Sequence, residues 1–236
     1  MKLQRFFVGE KLAIAENFIS TNSDLIHQLK NVFRKRVGDE IVLLDNSGWQ
    51  FFAKITRLDK KGLECVIERG ERAKNVTKQK MILCQSLIKK DNFEFILQKA
   101  TELGVSKIIP IMSERSEKKG INKERMEKIL QEASEQSERG VLPELLPVMS
   151  LQEAIDWVAE KGIKAIAFHT GEEKVDWQKQ IYAEDTMAVF VGPEGGYGEL
   201  DLAIFRERQI LLYSLGEQVL RAETAAIAVC AKVLLS

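Results

Sequence analysis

The chain has 236 residues, of which 45% are hydrophobic and 30% charged, and its formal net charge is zero. This composition is typical of a soluble globular protein, and no apolar run approaches the roughly 20 residues of a membrane helix. The segment Met1–Arg5 has neither the apolar core nor the cleavage site of a signal peptide, so we expect a cytoplasmic protein.

The charges are unevenly distributed along the chain. Basic residues outnumber acidic ones by 14 to 10 in residues 1–75 and by 11 to 6 in residues 76–125, whereas residues 126–236 hold 10 basic and 19 acidic residues. A basic front half permits a nucleic-acid partner, although a solvated surface of mixed charge gives the same pattern.

Residues 1–70 are predicted to be rich in β-strand. Turn signals such as Asp45-Asn46-Ser47-Gly48 separate short runs of β-branched and aromatic residues. A short helix is predicted at Ser23–Phe33, with Asn22 or Ser23 as its cap. Short strands at this spacing favour a small barrel, and the polar run Glu71–Gln79 is interpreted as a linker. The predicted strands are Phe6–Val8, Ile41–Leu44, Trp49–Thr56 and Leu63–Glu68.

From Met81 onward, strands and helices are predicted to alternate, which favours a parallel sheet covered by helices. Gly104 is expected to end the first of these helices as a C′ glycine, and Asn122 to cap the second. The predicted strands are Met81–Ile88, Lys107–Met112, Ile163–Phe168, Thr186–Val191 and Ile210–Tyr213, and the predicted helices are Asn92–Leu103, Lys123–Glu138, Leu151–Glu160 and Ala225–Leu235.

Two loops that follow apolar strands are the strongest candidates for a ligand site. Gly192–Gly196 places three glycines and a proline in five residues, so its backbone can approach a ligand closely. Ser214–Ala226 reads S-L-G-E-Q-V-L-R-A-E-T-A-A and leads into an apolar helix. The second loop alone could be an ordinary helix start with an incidental ion pair between Arg221 and Glu223. Together, two such loops at strand ends predict a pocket made largely of backbone.

Several common sites are absent from the sequence. There is no P-loop, no G-x-G-x-x-G after the first strand of the sheet and no G-x-S-x-G elbow. The two histidines, His27 and His169, do not suggest a zinc site, and we expect no metal. The three cysteines lie in apolar runs and are expected to be buried free thiols. The residues alone therefore predict an α/β ligand-binding domain preceded by a basic β-barrel.

Motifs along nearly the whole chain resemble the ribosomal RNA small subunit methyltransferase E family of the SPOUT superfamily. G-P-E-G-G at 192–196 and S-L-G-x-x-V-L-R-A-E-T-A at 214–225 are closely similar to family motifs. Two departures are Glu217-Gln218, where relatives often have proline and arginine, and Tyr197-Gly198 in place of Phe-Ser. In family order follow R-F-F-V at 5–8, an H-x-x-x-V-x-R-like run at 27–34, Q-K-A-T-E-L-G-V at 98–105, S-E-R-S at 113–116, E-A-S-E-Q-S-E-R at 132–139 and Leu142-Pro143.

The resemblance implies an α/β protein with two domains. Residues 1–72 would form a PUA-like RNA-binding β-barrel, and residues 78–236 a SPOUT methyltransferase domain with a deep trefoil knot, an exception to the rule that folds are unknotted. It also implies a homodimer that methylates N3 of one uridine in the decoding region of 16S rRNA, within the small ribosomal subunit, with S-adenosylmethionine as cofactor.

Site residues follow from the resemblance and from their positions in the loops. Glu223 is our candidate for the base that removes the N3 proton, and Arg221 for the group that stabilises charge on the uracil oxygens. Alternatively, the pair only locks the loop, with Arg221 holding a phosphate. The expected cofactor-binding residues are His169, Thr170, Gly192, Pro193, Glu194, Gly195, Gly196, Leu215, Gly216, Val219, Leu220, Thr224 and Ala225, and the expected RNA-binding residues are Arg5, Arg34, Lys90, Arg115 and Arg139.

Three other interpretations stay open at this point. A related enzyme could use the same pocket to methylate the ribose 2′-oxygen or another base. An RNA-binding assembly factor could keep the pocket without turnover, although the intact loops at 192–196 and 221–224 argue against this. A protein-interaction module that uses the acidic back half is the third.

Overall fold

We describe a computed structural model for residues 3–73, 80–116, 120–170 and 184–235. The chain divides into two compact units: Met1–Val76 with Ser134–Leu142, and Thr77–Ala133 with Pro143–Ser236. The domain limits 1–72 and 78–236 stay a prediction. The predicted linker is wrong at its start, since Glu71 and Arg72 belong to a strand, and its residues 74–79 lie outside the described part.

Among the described residues, the first unit contains a five-stranded sheet in the order β1-β3-β4-β5-β2. Only the β1–β3 pair is parallel, and no ladder joins β1 to β2 within the described residues. One core takes side chains from all five strands, so the sheet is curled around it. The strands are β1 Arg5–Phe7, β2 Asn17–Ser20, β3 Glu40–Leu44, β4 Trp49–Leu58 and β5 Leu63–Arg72.

The helix expected at Ser23–Phe33 is present in two parts. Helix α1 spans Ser23–His27, and a π-helical turn, Gln28–Val32, continues it. Asn22 caps α1, because its Oδ1 accepts hydrogen bonds from the backbone N–H groups of Asp24 and Leu25 at 2.9 and 3.0 Å.

The segment Ser134–Leu142 belongs to the first unit. Its contacts connect the motif at 132–139 to the motif at 5–8. The Glu135 Oε1 atom accepts a hydrogen bond from the Phe7 N–H at 2.9 Å, and Glu138 forms an ion pair with Arg5 at 2.9 Å. The Leu142 N–H donates to Asn46 Oδ1 at 2.8 Å. The acidic motif therefore stabilises the first unit through direct contacts with β1 and the β3–β4 turn.

In the second unit, the described residues form a parallel seven-stranded sheet in the order β12-β10-β11-β6-β7-β8, with β9 also paired to β7. The predicted strand–helix alternation is confirmed. The strands are β6 Lys80–Ser86, β7 Lys107–Met112, β8 Glu144–Leu145, β9 Met149–Ser150, β10 Lys164–Phe168, β11 Thr186–Val191 and β12 Leu211–Tyr213.

Helices cover both faces of this sheet. One core packs β6, β10 and β11 against α2, α3 and α6, and a second core packs the opposite faces of these strands against α4 and α5. Side chains that alternate along each strand supply the two cores, which is why the strands read as continuous apolar runs. The helices are α2 Lys90–Leu103, α3 Lys123–Gln136, α4 Leu151–Glu160, α5 Glu199–Glu207 and α6 Ala222–Leu234.

Several local predictions are confirmed. Gly104 ends α2 with φ of 106°, and Asn122 Oδ1 accepts from the Arg125 N–H at 3.0 Å at the start of α3. Cysteines 65, 84 and 230 are free and buried. In the parts of the chain that the structure describes, no helix is long and apolar enough to span a bilayer.

Candidate functional site

A cavity of about 450 Å³ lies at the carboxyl ends of β10, β11 and β12. The carboxyl edge of a parallel sheet is where α/β folds bind ligands. The cavity is lined by residues of four segments and by the side chain of Arg115. The segments are 168–170, 191–197, 214–220 and the start of α6 at 222–225, with Glu199 and Leu202 adding part of the wall.

The loop after β11 turns back sharply on itself. The Gly196 N–H donates to the Pro193 carbonyl at 2.9 Å, and Gly196 has φ of +68°, a conformation that favours glycine. Gly192 lies against the Tyr197 ring, since a Cβ at this position would lie 3.4 Å from ring atoms. Because Gly192 has no side chain, its backbone packs directly on the Tyr197 ring, and both residues line the cavity.

The loop after β12 is shaped by Ser214 and Gly216. The Ser214 hydroxyl donates to the Gly216 carbonyl at 2.8 Å and accepts from the Gly216 N–H at 3.3 Å. Gly216 has φ of +152°, which confirms that this position uses the backbone freedom of glycine. Leu215, Val219 and Leu220 from this loop line the cavity, whereas Gly216 does not.

The start of α6 has no side-chain cap. Arg221 is the N-cap residue and makes no side-chain capping hydrogen bond. Thr224, expected to bind the cofactor, is exposed and is not among the residues that line the cavity. No ion pair joins Arg221 to Glu223 within the described residues. Arg221 is exposed, and the Oε2 atom of Glu223 is buried without a hydrogen-bond partner. Glu223 therefore carries an unsatisfied acceptor in the first turn of α6, next to the cavity-lining residues Ala222 and Ala225.

The end of β10 supplies the fourth segment. The His169 N–H donates to the Tyr213 carbonyl at 2.9 Å, which extends the β10–β12 ladder to the cavity. A Cβ at Gly196 would lie 3.6 Å from His169 Cε1, so ring and loop are neighbours. The cavity is lined by eleven of the thirteen expected cofactor residues: His169, Thr170, Gly192, Pro193, Glu194, Gly195, Gly196, Leu215, Val219, Leu220 and Ala225.

The sequence prediction missed part of the lining. Tyr197 and Gln218 stand inside or beside the predicted loops, so loop position was the available signal for them. Glu199 and Leu202 come from α5, whose limits were not predicted. Phe168 and Val191 are the last residues of β10 and β11, and Ser214 and Ala222 lie within the candidate loop Ser214–Ala226.

Arg115, predicted to bind RNA, lies in the cavity wall. Its Nη1 donates to the Gly195 carbonyl at 2.8 Å, and its side-chain carbons pack against Gly195. Lys90, at the start of α2, is exposed and lies 3.8 Å from Glu94. Both residues belong to the second unit. Contact of either with RNA stays a prediction.

The other three residues predicted to bind RNA belong to the first unit. Arg34 is exposed and has φ of +53°, unusual for a residue with a side chain. The Arg5 side chain is largely buried, with its Nη1 donating to the Leu3 carbonyl at 2.9 Å beside the Glu138 ion pair. Burial lowers the pKa of Arg139 to about 10, so this side chain stays protonated at neutral pH.

The carboxylates of Asp201 and Glu114 lie beside Gly198, which follows the loop at 192–197. Asp201, in the first turn of α5, is 4% exposed and accepts hydrogen bonds from the N–H groups of Gly198 and Glu114. Burial raises the pKa of Asp201, with Glu114 adding to the rise and Arg115 opposing it.

Among the described residues, no group of three or more histidine, cysteine, aspartate or glutamate side chains could hold a metal ion.

Comparison with known proteins decides the family. A family model described as an RNA methyltransferase domain matches residues 75–234, and one described as an RNA methyltransferase PUA domain matches residues 21–68. The chain belongs to the ribosomal RNA small subunit methyltransferase E family. The member from Rickettsia conorii is 29% identical over 99% of this chain and 96% of its own length, and that from Bacillus subtilis is 27% identical over 95% and 93%.

Solved structures agree with this family membership. Ribosomal RNA small subunit methyltransferase E from Neisseria gonorrhoeae, bound to S-adenosylmethionine, superposes with a TM-score of 0.87 at 29% identity, covering 98% of this chain and 96% of its own. A Legionella pneumophila methyltransferase in complex with the same cofactor superposes with a TM-score of 0.89 at 26% identity, covering 99% and 97%.

Proposed function

We propose that this protein methylates N3 of one uridine in the decoding region of 16S rRNA, with S-adenosylmethionine as methyl donor. The observation that carries the proposal is the cavity at the carboxyl edge of the second sheet, in a chain whose solved relatives bind that cofactor. On this proposal the domains are residues 1–72 for RNA binding and residues 78–236 for methyl transfer.

The cavity residues fit S-adenosylmethionine. The volume of about 450 Å³ lies within the usual range of small-molecule pockets, about 300–1,000 Å³. Glycines at 192, 195 and 196 bring backbone without side chains to the cavity wall, where the Gly196 N–H and the Gly195 carbonyl are already hydrogen-bonded. Leu215, Val219 and Leu220 offer apolar contact. When bound, the cofactor supplies a methyl group on sulfonium that is already electrophilic, so the protein has to position it and prepare the nucleophile.

Glu223 is the residue that we propose accepts the proton from uridine N3. Its Oε2 atom is buried without a partner, so the acceptor is free for a proton that substrate brings. Arg221 is exposed two residues earlier, where its guanidinium can approach the uracil oxygens as negative charge develops on them.

Replacing Glu223 with glutamine tests the base assignment. We expect the single-turnover methylation rate to fall by about 10²–10⁴-fold, the usual contribution of a general base. The matched control is Glu207→Gln, an exposed glutamate in the last turn of α5. An unchanged rate of Glu223→Gln across pH would end the base assignment.

We propose that RNA contacts the basic residues Arg5, Arg34 and Arg139 of the first unit, and the basic residues Lys90 and Arg115 of the second. Exposed Arg34 and Lys90 are the best placed for phosphate contacts. If each contacts one phosphate, replacing either with glutamine lowers the salt slope of RNA binding by about one unit. A slope that does not change in the double variant would count against these contacts.

The remaining features proposed from the family are a closed PUA-like barrel, a trefoil knot around the cavity, a homodimer and a cytoplasmic location. Ile227, Ala228 and Ala231 of α6 are only partly buried, and Val219 is 83% exposed, so an apolar surface is open for a second copy. Sedimentation equilibrium at micromolar concentration tests the dimer, and a monomeric mass would refute it.

A further inference from the structure

The turn Ser113–Ser116, which follows β7, is closed by its own serines. The Ser116 N–H donates to the Ser113 carbonyl at 3.0 Å, and the two hydroxyl oxygens lie 2.9 Å apart. The Ser113 N–H also donates to the Ser116 hydroxyl at 3.1 Å. This geometry holds Glu114 and Arg115 at the tip of the turn.

Helix α5 begins at a position that has no capping side chain of its own. Its N-cap residue is Gly198, and the first N–H groups of a helix need acceptors from outside the helix. Glu114 supplies one, since its Oε2 accepts from the Leu200 N–H at 2.9 Å. The carboxylate also stands at the positive end of the helix dipole, which favours it there.

Asp201 of helix α5 in turn binds the backbone of Glu114. Its carboxylate accepts from the Glu114 N–H at 3.1 and 3.2 Å, and from the Gly198 N–H at 3.2 Å. The side chain of Glu114 therefore binds the helix while a side chain of the helix binds the backbone of Glu114. These contacts join residues 86 and 87 positions apart in the sequence.

The space at Gly198 is reserved for the Glu114 carboxylate. A Cβ at Gly198 would lie 2.0 Å from Glu114 Oε2 and 2.2 Å from Cδ. The backbone angles of Gly198, φ −82° and ψ 175°, suit any residue. Glycine is therefore required here by the neighbouring side chain and not by the backbone.

We propose that Glu114 is a positioning residue of the cofactor site: it caps α5 from another loop and, with Asp201, fixes the turn from which Arg115 holds the Gly195 carbonyl. Arg115 donates to Gly195 at 2.8 Å and lines the cavity, so any shift of the turn moves the cavity wall. The cofactor part of this inference rests on the proposed function, whereas the capping part does not.

The test compares four variants of the full chain: Glu114→Ala, Glu114→Gln, Gly198→Ser and the double variant Glu114→Ala/Gly198→Ser. Serine is a preferred N-cap residue, and truncating Glu114 vacates the space that its side chain needs. We measure the thermal unfolding midpoint without ligand, the Kd for S-adenosylmethionine by calorimetry, and the KM values for cofactor and RNA.

Both Glu114→Ala and Gly198→Ser are expected to lower the unfolding midpoint. Both should also raise the Kd for the cofactor by about fivefold, the change in an equilibrium constant that corresponds to the loss of a helix N-cap. The KM for the cofactor rises with the Kd, while the KM for RNA does not change. Glu114→Gln keeps the Kd within about twofold, because its amide oxygen can still accept from Leu200. The double variant recovers a higher midpoint and a lower Kd than either single variant.

Three results would overturn the inference. If the loss of unfolding midpoint in the double variant equals the sum of the losses in the two single variants, Glu114 does not cap α5 and does not require glycine at position 198. Equal damage from Glu114→Gln and Glu114→Ala would show that the hydrogen bond to Leu200 does not matter. A recovered midpoint with no recovery in Kd would refute the link to the cavity. Failure of the wild type to bind S-adenosylmethionine would instead refute the proposed function and the cofactor part together, and the ligand-free unfolding data would still decide the cap.

Discussion

Gly196 offers a test that separates backbone strain from the contribution of the cavity loop. Gly196 and Gly162 have nearly equal φ values, +68° and +64°. Alanine at either position has to adopt the left-handed conformation, which costs about 1–2 kcal/mol. A Cβ at Gly196 would lie 3.6 Å from His169 Cε1, whereas a Cβ at Gly162 would have nothing within 4 Å. Gly162→Ala is therefore the matched control.

Both variants are expected to lose about 1–2 kcal/mol of unfolding free energy, measured by urea denaturation. Only Gly196→Ala should also weaken the binding of S-adenosylmethionine, because its methyl group, in ordinary van der Waals contact with His169, is added to the wall of the cavity in which we propose the cofactor binds. If displacing the cofactor costs about 1.4 kcal/mol, calorimetry should show a Kd raised about tenfold. Gly162→Ala should leave the Kd unchanged.

Two results would refute this reasoning. If Gly196→Ala and Gly162→Ala change the Kd equally, the loop at 192–196 does not contact the cofactor. If neither variant loses stability, the two glycines do not hold the left-handed conformation in solution.

Three further predictions concern buried groups. The buried Tyr197 hydroxyl faces the Ser86 hydroxyl without a hydrogen bond of good geometry, so Tyr197→Phe should change the unfolding free energy by less than about 1 kcal/mol in either direction, and a larger loss in urea denaturation would contradict this. Burial raises the pKa of the Asp201 carboxyl above its ordinary value of 3.8, so the folded protein binds this proton more tightly than the unfolded chain does. The contribution of Asp201 to the unfolding free energy therefore falls as the pH rises from 3.8 through the raised pKa. Asp201→Asn should remove that fall from a pH series of unfolding free energies, and an unchanged pH dependence would contradict the shift. Burial raises the pKa of the Cys65 and Cys230 thiols to about 12, so the folded protein should react with a thiol reagent far more slowly than the unfolded chain, and rapid labelling of the native protein would contradict the burial.

Elements with a strong local pattern could be predicted with their limits. Strands β7 and β11 and helix α4 have the limits predicted for them, because each is an apolar or amphipathic run between clear boundary signals. Strand β2, Asn17–Ser20, was missed because its four residues include only two apolar ones, and one of them, Ile19, is 62% exposed. An edge strand of this kind has almost no pattern to detect.

The candidate site divides in the same way. The cavity loops at 192–196 and 214–220 could be predicted because glycine after an apolar strand is a local signal. The contacts that join Glu114 to Leu200 and Asp201 could not, since no local pattern reports a hydrogen bond across 86 or 87 positions. The hydrogen bond of Arg115 to the Gly195 carbonyl could not be predicted for the same reason, since it depends on the order of the strands in the sheet.

Methyl transfer to the small ribosomal subunit is the most direct test of the central claim. Small subunits that lack the modification are incubated with the protein and labelled S-adenosylmethionine, and the rRNA is digested to nucleosides. We predict label in 3-methyluridine at one site of 16S rRNA. Label in a ribose-methylated nucleoside or in another base would contradict the proposed reaction, and no transfer by a protein that binds the cofactor would favour an assembly factor without turnover.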